Sequence, residues 1–180
     1  FARVDGAIAA PTAGLHITQA LLGRLAVRGC EVTTATLHVG LGTFQPVTVE
    51  DLDQHPMHSE RFRVSRTTAD AIARARERGA PVVAVGTTVA RALESAADPE
   101  HDGLVVAGES ETRLLLQPGS RFRVIDALVT NFHLPRSTLL AMVCGFAGTE
   151  RVLAAYADAV RERYRFFSYG DAMLLWRAPS

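Results

Sequence analysis

The sequence predicts an α/β fold: a three-layer α/β/α sandwich built on a mainly parallel or mixed sheet. Three observations carry that expectation. Apolar runs of strand length alternate with segments of helical periodicity along the chain. The unbroken apolar run at residues 81–85 passes through Gly86-Thr87-Thr88 directly into a helical pattern. Glycine or proline punctuates most junctions, with no internal repeat or linker, so residues 1–180 are expected to form a single α/β domain.

The elements follow in order. Residues 7–10 form a short strand-like run ended by Pro11 and Gly14, and Thr18 caps a helix that carries Ala20, Leu21 and Leu25 towards Gly29. Residues 32–39, rich in Thr and Val, make a strand that empties into Gly40-Leu41-Gly42. Residues 61–64 are extended. Ser65 then caps a helix with Ala69, Ile72, Ala73 and Ala75 inward and Arg74, Arg76 and Arg78 outward, stopped by Gly79. The run 81–85 has the pattern of a strand covered on both faces, and the helix after it continues to Ala97. Beyond a polar turn at 98–103, residues 104–107, 114–116, 122–124 and 128–130 read as short strands around Pro118-Gly119. Helices are expected at 137–146 and 150–163, the second capped by Thr149, with a last strand from Ala172.

Composition narrows the chemistry. Nineteen acidic residues balance nineteen arginines, and there is no lysine. Zero formal charge gives no whole-molecule attraction for nucleic acid, and the missing lysine excludes Schiff-base and phosphate-loop lysine mechanisms. Cys30 and Cys144 are too few and too far apart in sequence for a disulfide framework or a zinc site. Without a signal-peptide pattern or an apolar run of bilayer length, a cytoplasmic protein away from membranes is expected.

Polar residues gather beside glycine or proline in loops 11–16, 38–44, 55–60 and 131–138. Each follows or flanks an expected strand, so a covered sheet brings them to one rim, the usual place for an α/β crevice. Turn formers alone explain such composition. Histidine in every one of these loops, as His16, His38, His55, His58 and His133, weighs for a shared site. In His55-Pro56-Met57-His58-Ser59-Glu60, Pro56 disfavours the helix that would aim both imidazoles and the carboxylate at one metal, so proton transfer or substrate binding is expected there and no metal. Gly86-Thr87-Thr88 offers amides and hydroxyls to a carboxylate or phosphate, or simply caps its helix. Arg91 and Glu94 are spaced to pair on a helix surface. Asp126 before the 128–130 strand, and Asn131 and His133 after it, are placed for ligand contact. The arginines at 161–165 beside Tyr164, Phe166, Phe167 and Tyr169 mix charge with stackable rings, as RNA-binding surfaces do, unless those rings are core.

These loops also carry a resemblance. Ala9-Ala10-Pro11-Thr12-Ala13-Gly14-Leu15-His16, Thr36-Leu37-His38-Val39-Gly40-Leu41-Gly42-Thr43-Phe44, the 55–60 segment, Val85-Gly86-Thr87-Thr88, residues 126–135 and residues 164–174 are similar, in order, to motifs of the S-adenosylmethionine:tRNA ribosyltransferase-isomerase family. The resemblance runs through essentially all 180 residues but corresponds to the family's carboxyl-terminal portion, without its inserted small β-barrel domain. It implies transfer and isomerisation of the ribosyl moiety of S-adenosylmethionine onto the aminomethyl-deazaguanine base of tRNA, giving epoxyqueuosine for queuosine biosynthesis and releasing adenine and methionine. S-adenosylmethionine is then a substrate, no cofactor is required, the other partner is tRNA carrying the precursor base, and a monomer is expected. By matching motifs, His38, His58 and Glu60 are the candidates for proton transfer. Thr12, His16, Gly40, Gly42, Thr87, Thr88, Arg91, Asp126, Asn131 and His133 are the candidates for holding the donor or the modified base. The sulfonium acidifies the neighbouring C5′ protons, so a base can remove one while an acid assists departure of adenine. Ribosyl transfer to a different nucleoside, and a non-catalytic RNA- or nucleotide-binding module, remain as alternatives.

Overall fold

The computed structural model describes residues 5–40 and 47–179. Local sequence sets the helix starts. Thr18 Oγ1 accepts the Leu21 amide at 3.1 Å before α1 (Gln19–Val27), and Ser65 Oγ accepts that of Thr68 at 3.1 Å before α2 (Arg66–Glu77). Ser137 Oγ does the same for Leu140 at 3.2 Å before α4 (Thr138–Ala147). Two helices start differently. α3 (Thr87–Ser95) and α5 (Thr149–Arg161) follow Gly86 and Gly148, both at positive φ. Thr149, expected as a cap, is therefore the first helical residue.

Among the described residues, six strands make two three-stranded sheets. β1 (Ala35–Leu37), β2 (Glu60–Val64) and β4 (Gly108–Thr112) are antiparallel with β2 in the middle. β2 alternates as a half-covered strand should, with Glu60, Phe62 and Val64 buried and both arginines exposed. β5 (Ala127–Asn131) lies between β3 (Val83–Val85), to which it is parallel, and β6 (Ala172–Trp176), to which it is antiparallel. The α/β class and the mixed strand directions agree with the sequence reading. α3 packs against β1, β2, β3 and β5 and so ties the two sheets together. Its Ala90 and Ala92 are fully buried, and small side chains there allow close approach on both sides. One apolar cluster runs through Val64, Leu93, Val124, Leu128, Met142 and Phe146.

Register explains which strand faces are buried. Ala84, Leu128 and Leu175 align across the second sheet, and Ala84 and Leu128 are fully buried. The opposite face carries Val83, Leu174 and Trp176, all about half exposed. The run 81–85, expected to be covered on both sides, is covered on one among the described residues.

Several short strands expected from apolar content are absent. Leu116, Phe122 and Val124 are buried, yet the amides of Arg123, Val124 and Ile125 donate to the Glu94 carboxylate at 2.8, 3.0 and 3.0 Å. With these donors engaged, residues 123–125 have no amides left for a ladder, and at 114–116 the Leu114 amide is taken by Thr112 Oγ1 at 3.0 Å. Residues 7–10 form no strand, although the Ile8 amide reaches the Val39 carbonyl at 3.1 Å. The 104–107 run contributes one bridge, Val105 to Ala97, and the strand comes just after it in polar β4. Among the described residues, no single helix is long and apolar enough to cross a membrane.

Candidate active site

Parallel pairing brings two chain turns to the same edge. β3 runs into Gly86-Thr87-Thr88 and β5 ends at Asn131, and both junctions line a shallow, open crevice. Such carboxyl ends are where ligands enter open α/β sheets. The short helical turn Thr12–His16 supplies Thr12, the first glycine loop supplies Val39, and the 164–171 turn supplies Phe167 and Ser168. No lining side chain among the described residues carries a formal charge at neutral pH.

Gly86 makes the α3 junction possible. Its φ of 95° is a left-handed conformation that side chains resist, and it leaves α3 with no side-chain cap. The first-turn amides of α3 therefore lack an intrahelical acceptor beside the crevice. Thr87 is buried and Thr88 half-buried, and both line it.

Asn131 is 4% exposed. Its Nδ2 lies 3.2 Å from His16 Nε2 and donates to the Gly170 carbonyl at 3.4 Å, while Oδ1 is buried without a hydrogen-bond partner among the described residues. His133 bonds Thr130 Oγ1 through Nε2 at 2.9 Å and donates its amide to the Tyr156 hydroxyl at 2.8 Å. Burial pulls the His133 imidazole down to about 4 and pushes the Tyr156 phenol up to about 12, so both are neutral at pH 7.

The carboxyl-terminal turn divides its aromatic residues. Phe132 packs against Tyr156, Tyr164 and Phe166 at ring-centroid distances of 5.2, 5.8 and 5.1 Å. Phe167, held at a φ of 73°, lines the crevice, and Tyr169 is 85% exposed. A left-handed bulky residue is costly, and here it turns one ring of an adjacent aromatic pair towards the ligand space. The turn is fixed by Asp171, whose carboxylate accepts from the Arg165 amide at 2.7 Å and pairs with its guanidinium at 2.8 Å. That arginine holds the Asp171 carboxyl below its ordinary value. Gly170 closes the turn because a Cβ there would sit 2.3 Å from the Arg165 carbonyl oxygen. Phe167 and Ser168 are among the lining residues not named as site candidates from sequence, with Thr130 and Leu139; the Phe166-Phe167 pair before a Ser-Tyr-Gly-Asp turn was the signal for the first two.

The remaining expected site residues are placed as follows. Glu60 is buried, its Oε2 2.6 Å from Arg91 Nη1, and its Oε1 accepts the Gly40 amide at 2.9 Å. This pair fastens the first glycine loop to α3. The Arg91–Glu94 surface pair does not form, because α3 is buried between the sheets and turns Arg91 to Glu60 and Glu94 to the 123–125 amides. His38 is half-buried next to Val39, and its Nδ1 is buried without a partner among the described residues. His58 is exposed and outside the crevice lining. Gly42 lies outside the described residues. Asp126 sits at the other end of β5, where it accepts the Val82 amide at 2.8 Å and pairs with Arg76 at 2.6 Å and Arg177 at 3.3 Å. Among the described residues, no three His, Cys, Asp or Glu side chains gather to hold a metal ion.

Comparison with known proteins fits this arrangement. A family model described as queuosine biosynthesis protein matches residues 1–175. The S-adenosylmethionine:tRNA ribosyltransferase-isomerase of Sorangium cellulosum is 67% identical over 175 residues, covering 97% of this chain and 47% of that protein. The protein of the same name from Citrifermentans bemidjiense is 59% identical over 175 residues, 97% of this chain and 50% of its own. A crystal structure of S-adenosylmethionine tRNA ribosyltransferase from Thermotoga maritima matches with a TM-score of 0.72 and 43% identity, over 91% of this chain and 51% of that one. The chain spans about half the length of the curated relatives it matches. Motif-bearing turns brought to one sheet edge, a matching family model and this level of identity together establish that the chain belongs to the queuosine biosynthesis protein family, as its carboxyl-terminal portion.

Proposed function

We propose that this chain carries the donor crevice of a cytoplasmic enzyme that moves and isomerises the ribosyl group of S-adenosylmethionine onto the aminomethyl-deazaguanine of tRNA. Epoxyqueuosine-tRNA, adenine and methionine are the products. The supporting observation is the uncharged crevice at the carboxyl ends of β3 and β5, lined by turns that carry the family motifs. The sulfonium supplies the chemical drive by acidifying C5′, so the protein must orient the nucleoside, exclude water and provide one proton acceptor.

Within this reading the residue roles separate. His38, half-buried and next in sequence to the lining residue Val39 though not itself in the lining, is the proton acceptor. Glu60 is a positioning residue, because its carboxylate is engaged by Arg91 and the Gly40 amide. His133 is a poor base at neutral pH with its imidazole at about 4, and it serves as a neutral hydrogen-bonding group. Asp126 holds the fold. The test is adenine release from S-adenosylmethionine with precursor-bearing tRNA, using this chain and its His38→Gln and His58→Gln variants. Release that needs the tRNA, falls about 100-fold or more with His38→Gln and stays near normal with His58→Gln is expected, matching the usual weight of a general base. Donor-dependent release without any tRNA requirement would replace the acceptor, and full activity in the His38 variant would remove its role.

A further inference from the structure

Two features of the crevice have complementary polarity and belong to neighbouring strand ends. The first is the start of α3, where Gly86 provides no side-chain cap and the first-turn amides point beyond the helix. The second is Asn131, 96% buried, whose Oδ1 has no hydrogen-bond partner among the described residues. The amide orientation follows from its surroundings. Nδ2 faces the Gly170 carbonyl, which can only accept, and His16 Nε2, which accepts when the imidazole proton is on Nδ1; a flipped amide would set Oδ1 against that carbonyl. Asn131 therefore keeps one acceptor in reserve. In register, Val85 aligns with Val129, so Thr87 and Asn131 each lie two residues further along parallel strand ends.

An acceptor that lacks a donor and a helix start that lacks an acceptor suit one ligand group with both charges close together. We infer that this end of the crevice is an α-amino-acid subsite: the first turn of α3 receives the α-carboxylate and Asn131 Oδ1 receives the α-ammonium. The inference rests on the donor reading above, in which that group is the methionine end of S-adenosylmethionine. Net neutrality fits as well, because a zwitterion needs no charged lining residue. His16 and Gly170 then act as positioning residues that fix the Asn131 amide, and Phe167 is left for the planar nucleoside end.

The experiment is calorimetric binding of three probes to this chain: S-adenosylmethionine, decarboxylated S-adenosylmethionine and 5′-methylthioadenosine. The first should bind at least about tenfold more tightly than the second, the weight of hydrogen bonds to a charged group. Asn131→Leu should weaken S-adenosylmethionine by about tenfold or more while leaving 5′-methylthioadenosine within about twofold. Asn131→Asp, which keeps the acceptor and adds charge, should retain S-adenosylmethionine binding. Equal affinity for the carboxylated and decarboxylated probes, measured on the unmodified chain and independent of any folding defect, would overturn the subsite and leave the donor reading standing. So would equal weakening of S-adenosylmethionine and 5′-methylthioadenosine by Asn131→Leu. Failure of all three probes to bind would overturn the donor reading together with the subsite.

Discussion

The two ends of β5 are both polar, and they are built to opposite rules. At its start, Glu94 takes three backbone amides from residues 123–125, and Asp126 takes the Val82 amide and two arginines. At its end, among the described residues, Asn131 keeps a buried oxygen without a hydrogen-bond partner and neutral His133 makes one side-chain hydrogen bond, to Thr130. Saturated polar groups hold a fold, because each is needed where it is. Polar groups with capacity to spare are costly unless something arrives to use it. The difference separates scaffold from site along five residues of one strand.

The largest effect that sharpens this contrast comes from Glu94→Ala. It strands three amides in a buried segment, and unfolding in urea should show a loss of about 4 kcal/mol. Asp126→Ala comes next. It removes an acceptor from Val82 and leaves Arg76 and Arg177 with backbone carbonyls but no carboxylate, and these side chains are 20–37% exposed, so water recovers part of the loss and about 3 kcal/mol is expected. In both variants the folded fraction should bind S-adenosylmethionine normally. A specific loss of affinity at Asp126 would break the division between the strand ends.

Acid titrates the other end. Folded His133 stays neutral down to about pH 4, whereas the unfolded chain takes up that proton from about pH 6.5 downward. Its share of stability is thus complete above pH 6.5, declines as pH falls, and is gone below pH 4, a total of roughly 3 kcal/mol. Urea midpoints measured across this window should flatten in His133→Gln. An unchanged slope in that variant would move the acid sensitivity to another group.

What the sequence made legible divides along the same line. The helix caps Thr18 and Ser65 and the glycine junction of α3 were readable because they depend on neighbours within three residues, whereas the cap Ser137 was read as helix and Thr149 as a cap it is not. The 11–16, 86–88 and 131–133 turns do meet at the β3 and β5 ends, as parallel pairing of the strands implies, while the 55–60 loop stays outside the crevice lining. Long-range pairings were not readable. Nothing local distinguishes Asp126, which meets Arg76 and Arg177 from 50 and 51 residues away, from Asn131, which meets His16 from 115 away. Apolar content misled at 122–124, where Phe122 and Val124 are buried but Glu94 takes the amides of 123–125 that a ladder would need. In β4 it misled the other way, because a polar run pairs with β2 residue for residue. The Phe167 ring was read as a stackable ring or core and not as crevice lining, because its direction depends on one left-handed residue.

The smallest stability effect is expected at the residue with the most to lose in binding. Asn131→Leu removes the Nδ2 contacts to His16 and the Gly170 carbonyl, each worth about 1 kcal/mol at most, and the second is long at 3.4 Å. The same change removes a buried oxygen that has no partner, a gain of similar size, and puts an apolar side chain of similar volume beside Phe132 in sequence. The two should cancel to within about 1 kcal/mol of the unmodified chain in urea unfolding. A buried polar residue whose removal costs the fold almost nothing is present for another reason. If Asn131→Leu instead cost as much as Asp126→Ala, the oxygen would have a structural partner, and the two ends of β5 would not differ in kind.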